Sequence, residues 1–182
     1  MELYLPDTDK RIKYLREIIE GQIVAVLLPG PSIQTLEDRI LELKGLNIRY
    51  ASCNDFWVME QKILNLIDWH LDIVLCSAKE CGVPSPAHID YLMRNEKNLF
   101  ITEKAGYYEE NLAFSDFVDL FDTKLLFFVA DRTPSAIMRP NKDFPLHFPA
   151  QASLSILLSV FHIGKAKEIF LFGADGGVPM AN

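Results

Sequence analysis

No run of apolar residues in this 182-residue chain approaches the ~20 that a membrane helix needs. The richest stretch, Leu154 to Ile163, is broken by Ser155, Ser159 and His162. A membrane span is therefore not expected. The first residues, Met1 to Arg11, carry charges and a proline but no apolar segment of the kind a secretory signal needs. Cysteine is scarce. Cys53, Cys76 and Cys81 make an odd count with no paired framework, which points to a reducing cytoplasm. Cys76 and Cys81 are spaced CxxxxC, but no second pair completes a zinc site, so buried free thiols are the simpler reading. Basic residues are outnumbered: Lys+Arg 18 against Asp+Glu 25 gives a net charge of −7. Such a chain is poorly suited to gripping a phosphate backbone by counterion release, and nucleic acid is not expected as a partner. The GxxxxGK[ST] and GxGxxG patterns are both missing, as are repeats and low-complexity segments.

What is present is an ordinary globular mixture, 49% hydrophobic and 24% charged, enough for a single domain over residues 1–182. Short apolar runs alternate with amphipathic stretches. Ile12, Leu15 and Ile19 form a helical stripe that Gly21 stops. Ile23 to Leu28 is unbroken and apolar, as suits a strand covered on both faces. Gly30-Pro31-Ser32 breaks it, and Ile33, Leu36, Ile40 and Leu43 follow at helical spacing, with Ser32 as the expected N-cap and Gly45 as the stop. Strands are expected at about 23–28, 47–52, 72–76, 98–102, 125–129 and 168–173. A helix after Asp55 would bury Phe56, Met59, Ile63 and Leu66. Ser85-Pro86 is a helix start, because proline at the first helical position loses no needed N–H. Leu112 to Phe121 reads as helical.

The alternation predicts an α/β fold: a Rossmann-like, open and mainly parallel sheet with helices on both faces. Asp131 to Pro149 holds Pro134, Pro140, Pro145 and Pro149 and reads as a long functional loop. Gln151 to Ile163 is a nearly all-apolar helix, expected to be buried in the domain or in a homo-oligomer contact. The final strand runs into Gly173-Ala174-Asp175-Gly176-Gly177 without a following helix, as if the C-terminal part were missing.

In such a sheet, ligands bind outside the carboxyl ends of the strands. Three features collect there. Leu28 to Ser32 offers a glycine for close backbone approach and, at a helix start, free N–H groups on Ser32 and Ile33 for an anion. Pro31 removes one donor. Cys53-Asn54-Asp55 follows the second strand; Asn54 can pair with a base edge or ribose, while Asp55 reads first as an N-cap. Asp175 could accept from a hydroxyl, hold Mg²⁺ or simply close a turn. Of the histidines, His162 reads as a core residue, and His70 and His88 as surface ones. His147 in the proline-rich segment is the candidate catalytic base. Arg132, Arg139 and Lys142 beside it could pair with phosphates.

Three stretches taken in order, Leu27 to Ile33 (LLPGPSI), Ser52 to Trp57 (SCNDFW) and Gln151 to Gly177, resemble the bacterial CMP-sialic-acid sialyltransferases. The family pattern is a GNGPSL loop, a CN-aromatic segment, and a Ser-Gly helix followed by a strand and a GxD loop. The GPS opening and the Gly-x-Asp close are also similar to the hydroxymethylpterin diphosphokinase MptE-like domain family. The sialyltransferase resemblance implies that Gly30, Pro31 and Ser32 bind the phosphate and ribose region, and that Asn54 contacts the nucleotide. Gln151 and Ser153 would stand at the helix contacts, and Gly173 and Asp175 at the final loop. Pro29 replaces the family's Asn, and Ala152-Ser153 replaces its Ser-Gly pair. The implied activity is glycosyl transfer from a CMP-sugar to a small-molecule or glycan acceptor. The pterin-kinase resemblance implies ATP and Mg²⁺ instead, with Asp175 as a metal ligand. A third alternative is a non-catalytic nucleotide-fold module.

Overall fold

The computed structural model describes residues 8–54, 56, 60–76, 86–103, 120–121, 124–131, 146–149 and 152–175. Asp55, Met59, Cys81, Arg132, Arg139, Lys142, Gln151, Gly176, Gly177 and most of the Leu112 to Phe121 segment lie outside the described residues, as do the side chains of His88 and His147.

Seven parallel strands form one open sheet in the order β6-β5-β4-β3-β2-β1-β7. They are β1 (Ile23–Leu27), β2 (Ile48–Cys53), β3 (Ile73–Cys76), β4 (Leu99–Glu103), β5 (Leu125–Asp131), β6 (His147–Pro149) and β7 (Glu168–Phe172). The six expected strands are all there, within a residue or two of their apolar runs. The seventh, β6, is a correction. The proline-rich stretch is not loop throughout, because β5 extends to Asp131 and residues 147–149 pair beside it. Pro149 is tolerated there since β6 is an edge strand, where a missing N–H need leave no partner unpaired.

The helices are α1 (Thr8–Ile19), α2 (Thr35–Lys44), α3 (Gln61–Leu66), α4 (Pro86–Arg94) and α5 (Ser153–Ile163). Successive strand residues point to opposite faces, so the core has two halves. Ala25 and Leu27 of β1 face Leu36 and Ile40 of α2, Ile63 and Leu64 of α3, and Leu92 of α4. Val24 and Val26 face Leu15, Ile18 and Ile19 of α1, and Ile156, Leu157, Val160 and Phe161 of α5. Helices on both faces keep the inner apolar strands dry, each buried Leu or Ile contributing about 1.5–3 kcal/mol, whereas the outer strand β7 leaves Phe170 and Leu171 exposed. The apolarity of α5 is thus satisfied inside the domain. His162 is corrected by the same geometry: it sits opposite the buried stripe and is exposed.

At the amino edge, Asp72 just before β3 is fully buried. Its carboxylate accepts from Arg49 Nη1 at 3.1 Å and from the Tyr50 N–H at 2.8 Å, with His70 Nε2 at 3.3 Å. Tyr91 in α4 donates its hydroxyl to the carbonyls of Asp72 (2.9 Å) and Leu99 (3.0 Å). Burial, and then the charge of Asp72, push the Tyr91 hydroxyl well above its usual pKa. These contacts tie β2, β3, β4 and α4 together at the end of the sheet away from the candidate site.

Candidate functional site

Strand order reverses at β1: β2 to β6 lie successively on one side of it and β7 on the other. In open α/β sheets, that reversal, at the carboxyl ends, is where ligands bind. Here the two flanking loops are stitched together. Leu28 N–H donates to Phe172 O at 2.9 Å, and Gly30 N–H to Gly173 O at 3.1 Å. The Ser32 N–H then donates to Asp175 Oδ2 at 2.7 Å. Both glycines are required by this approach. A Cβ on Gly173 would lie 1.9 Å from Leu28 O, and one on Gly30 would lie 2.3 Å from Gly173 O and 2.5 Å from Asp175 Oδ2. Gly173 also holds φ +72, the left-handed region that glycine tolerates best. Gly30 has φ −87, so its constraint is steric alone.

Two expectations change here. Ser32 does not cap α2. It lies inside a 3₁₀ turn, Pro31–Gln34, whose N-cap is Gly30, and α2 starts at Thr35. Nor are the two N–H groups free, since that of Ser32 goes to Asp175 and that of Ile33 to Gly30 O at 2.9 Å. The turn already holds an anion, the protein's own carboxylate. Hydrogen bonds from the Ser32 hydroxyl and then its N–H hold the Asp175 carboxyl below the usual carboxylate range.

Asn54 leaves β2 on the neighbouring side of β1. Its N–H continues the ladder to Leu75 O at 2.7 Å, and its φ of 52 then turns the chain, a conformation asparagine tolerates better than most residues. The side-chain amide donates to Ser153 Oγ at 3.3 Å. Ser153 opens α5, whose N-cap Ala152 has no side chain to cap the first turn. The positive end of a helix therefore sits beside Asn54. From β7 across β1 to β2 is two strand spacings, about 10 Å. Gly30, Pro31, Ser32, Asn54, Ser153, Gly173 and Asp175, taken from four separate stretches of sequence, lie along that one edge.

Glu103 was not among the sequence candidates. It ends β4 at the same edge, is buried, and is in register with Phe128 of the α1/α5 half of the core. The sequence signal was a Thr102-Glu103 pair directly after an apolar run. Cys53 and Cys76 are both buried. Among the described residues, no three His, Cys, Asp or Glu side chains cluster as a metal site would require. Asp175, already engaged by Ser32, is a single carboxylate at this edge.

No family model matches the chain, and no curated protein matches it. No helix among the described residues is long and apolar enough to cross a membrane.

Proposed function

We propose that the domain binds a nucleotide or nucleotide-sugar at the carboxyl edge around β1, and that it serves group transfer, with sialyltransferase-like glycosyl transfer from a CMP-sugar as the leading reading. One observation carries the proposal. The glycine turn at Gly30, the Asn54 amide, the Ser153 helix start and the Gly173–Asp175 loop converge at the topological switch point, although the bonded pair Ser32 and Asp175 alone is 143 positions apart in sequence. In this reading the turn meets the phosphate. Asn54 and Ser153, both able to donate and accept, read the ribose or base. The positive end of α5 steadies charge on the departing phosphate. The acceptor is a hydroxyl of a small molecule or glycan; His147, on β6, stands five strand spacings, about 24 Å, from β1 and is too far along the sheet to activate it there. The ATP-dependent pterin-kinase reading stands second: it would call on Asp175, with the ATP phosphates, to hold Mg²⁺, and that carboxylate is here bonded to the Ser32 N–H.

Calorimetric titration of CMP, CDP, ATP and GTP tests the proposal. One of the cytidine nucleotides should bind at millimolar concentration or below. Asn54→Ala should weaken that binding by about 0.5–1.5 kcal/mol, the usual worth of a neutral hydrogen bond. An absence of binding by every nucleotide at millimolar concentration would remove the proposal.

A further inference from the structure

The stitching between the β1 and β7 loops has a consequence for access to that site. We infer that the Asp175–Ser32 contact is an autoinhibitory latch: the carboxylate occupies the Ser32 turn in the empty protein, and an anionic ligand must displace it to enter. The inference rests on the proposed nucleotide site and adds its regulation.

Three observations support it. First, the rungs between the loops differ in kind. Leu28 to Phe172 and Gly30 to Gly173 are backbone bonds that prolong the β1–β7 pairing, whereas the third is made by a side chain. A side chain can swing away by bond rotation while the backbone rungs stay in place. Second, Asp175 is exposed, so solvent takes the carboxylate at little cost once it leaves. Third, Ser32 meets the carboxylate with its N–H at 2.7 Å, a donor that a phosphate oxygen could also use. The turn therefore already holds an oxyanion, and that oxyanion is the protein's own.

The latch is also sensitive to protonation. Ser32 hydrogen bonds, with no neighbouring charge contributing, hold the Asp175 carboxyl below its ordinary value of 3.8. The sign follows. The contact is fully present above 3.8, and it is lost as pH falls through the lower value in the folded protein. Among the described residues, Gly30, Gly173 and Ser32 are the groups that face it, and none of them titrates in this range.

Two measurements test the latch. In the ligand-free ¹⁵N-labelled protein, the Ser32 amide resonance should shift as pH is lowered, with a midpoint below 3.8, and Asp175→Asn should abolish that titration. A Ser32 amide that does not respond would overturn the latch. CDP and inorganic pyrophosphate are then titrated against wild type, Asp175→Asn and Asp175→Ala near neutral pH. If the latch is open about a tenth of the time, its removal should tighten binding roughly ten-fold. Equal or weaker binding by Asp175→Ala would overturn the latch and leave the nucleotide site standing, with Asp175 as a bystander or a direct contact. No binding by wild type or either variant would overturn both.

Discussion

Gly173→Val should cost at least about 4 kcal/mol, a large part of the 5–15 kcal/mol that holds a typical domain together. Two effects add. The side chain must adopt φ +72, and its Cβ would meet Leu28 O at 1.9 Å, backbone that cannot move without parting β1 from β7. Gly30→Val should cost a comparable amount through sterics alone, given its ordinary φ of −87. Gly21 separates the two terms: it has the same φ of 72, but nothing lies within 4 Å of an added Cβ. Gly21→Ala should therefore cost only about 1 kcal/mol. Urea denaturation of the three variants would show the ordering, and a Gly173 variant within 1 kcal/mol of wild type would mean that the loops are not held as described.

Asp72→Ala should cost about 1–3 kcal/mol, the usual penalty for a buried donor left without its partner. The carboxylate is fully buried, and its removal strips partners from Arg49, His70 and the Tyr50 N–H at once. The Arg49 Nε is already buried without a partner, although the rest of its side chain is partly exposed to solvent. Leu36→Ala, at a fully buried apolar position, gives the comparison for a plain cavity. A loss below about 1 kcal/mol for Asp72→Ala would show that the amino edge holds without the ion pair. Nucleotide binding by the folded fraction should be unaffected, because this cluster lies at the opposite end of the strands.

The parts of this fold legible in the sequence are those set by local pattern. Apolar runs such as Ile23 to Leu28 located the strands, because a strand covered on both faces shows no alternation. Ser85-Pro86 marked the start of α4 at Pro86. The clusters around Gly30, Asn54 and Gly173 could be placed at one edge because strand ends in a parallel sheet share an edge. What could not be read depends on distant partners. Ser32 looked like a helix cap because the serine-before-helix pattern is local, whereas its partner Asp175 lies 143 residues away. β6 was hidden because three residues beside a proline carry no strand pattern and are held only by pairing with β5. His162 was misplaced because α5 looks apolar all round, and only packing shows that Ile156, Leu157, Val160 and Phe161 form the buried face. Glu103 was passed over because a lone acidic residue at a strand end means little until its burial is known.

The central claim is that one edge of the sheet, at the β1 switch point, is the nucleotide site. Chemical-shift mapping of the ¹⁵N-labelled protein during addition of CDP tests it most directly. The account predicts that amides of Gly30, Ser32, Asn54, Ser153 and Gly173 shift together along one saturation curve, while Arg49, His70 and Asp72 at the amino edge stay still. Shifts confined to the amino edge, or no shifts at millimolar CDP, would contradict it.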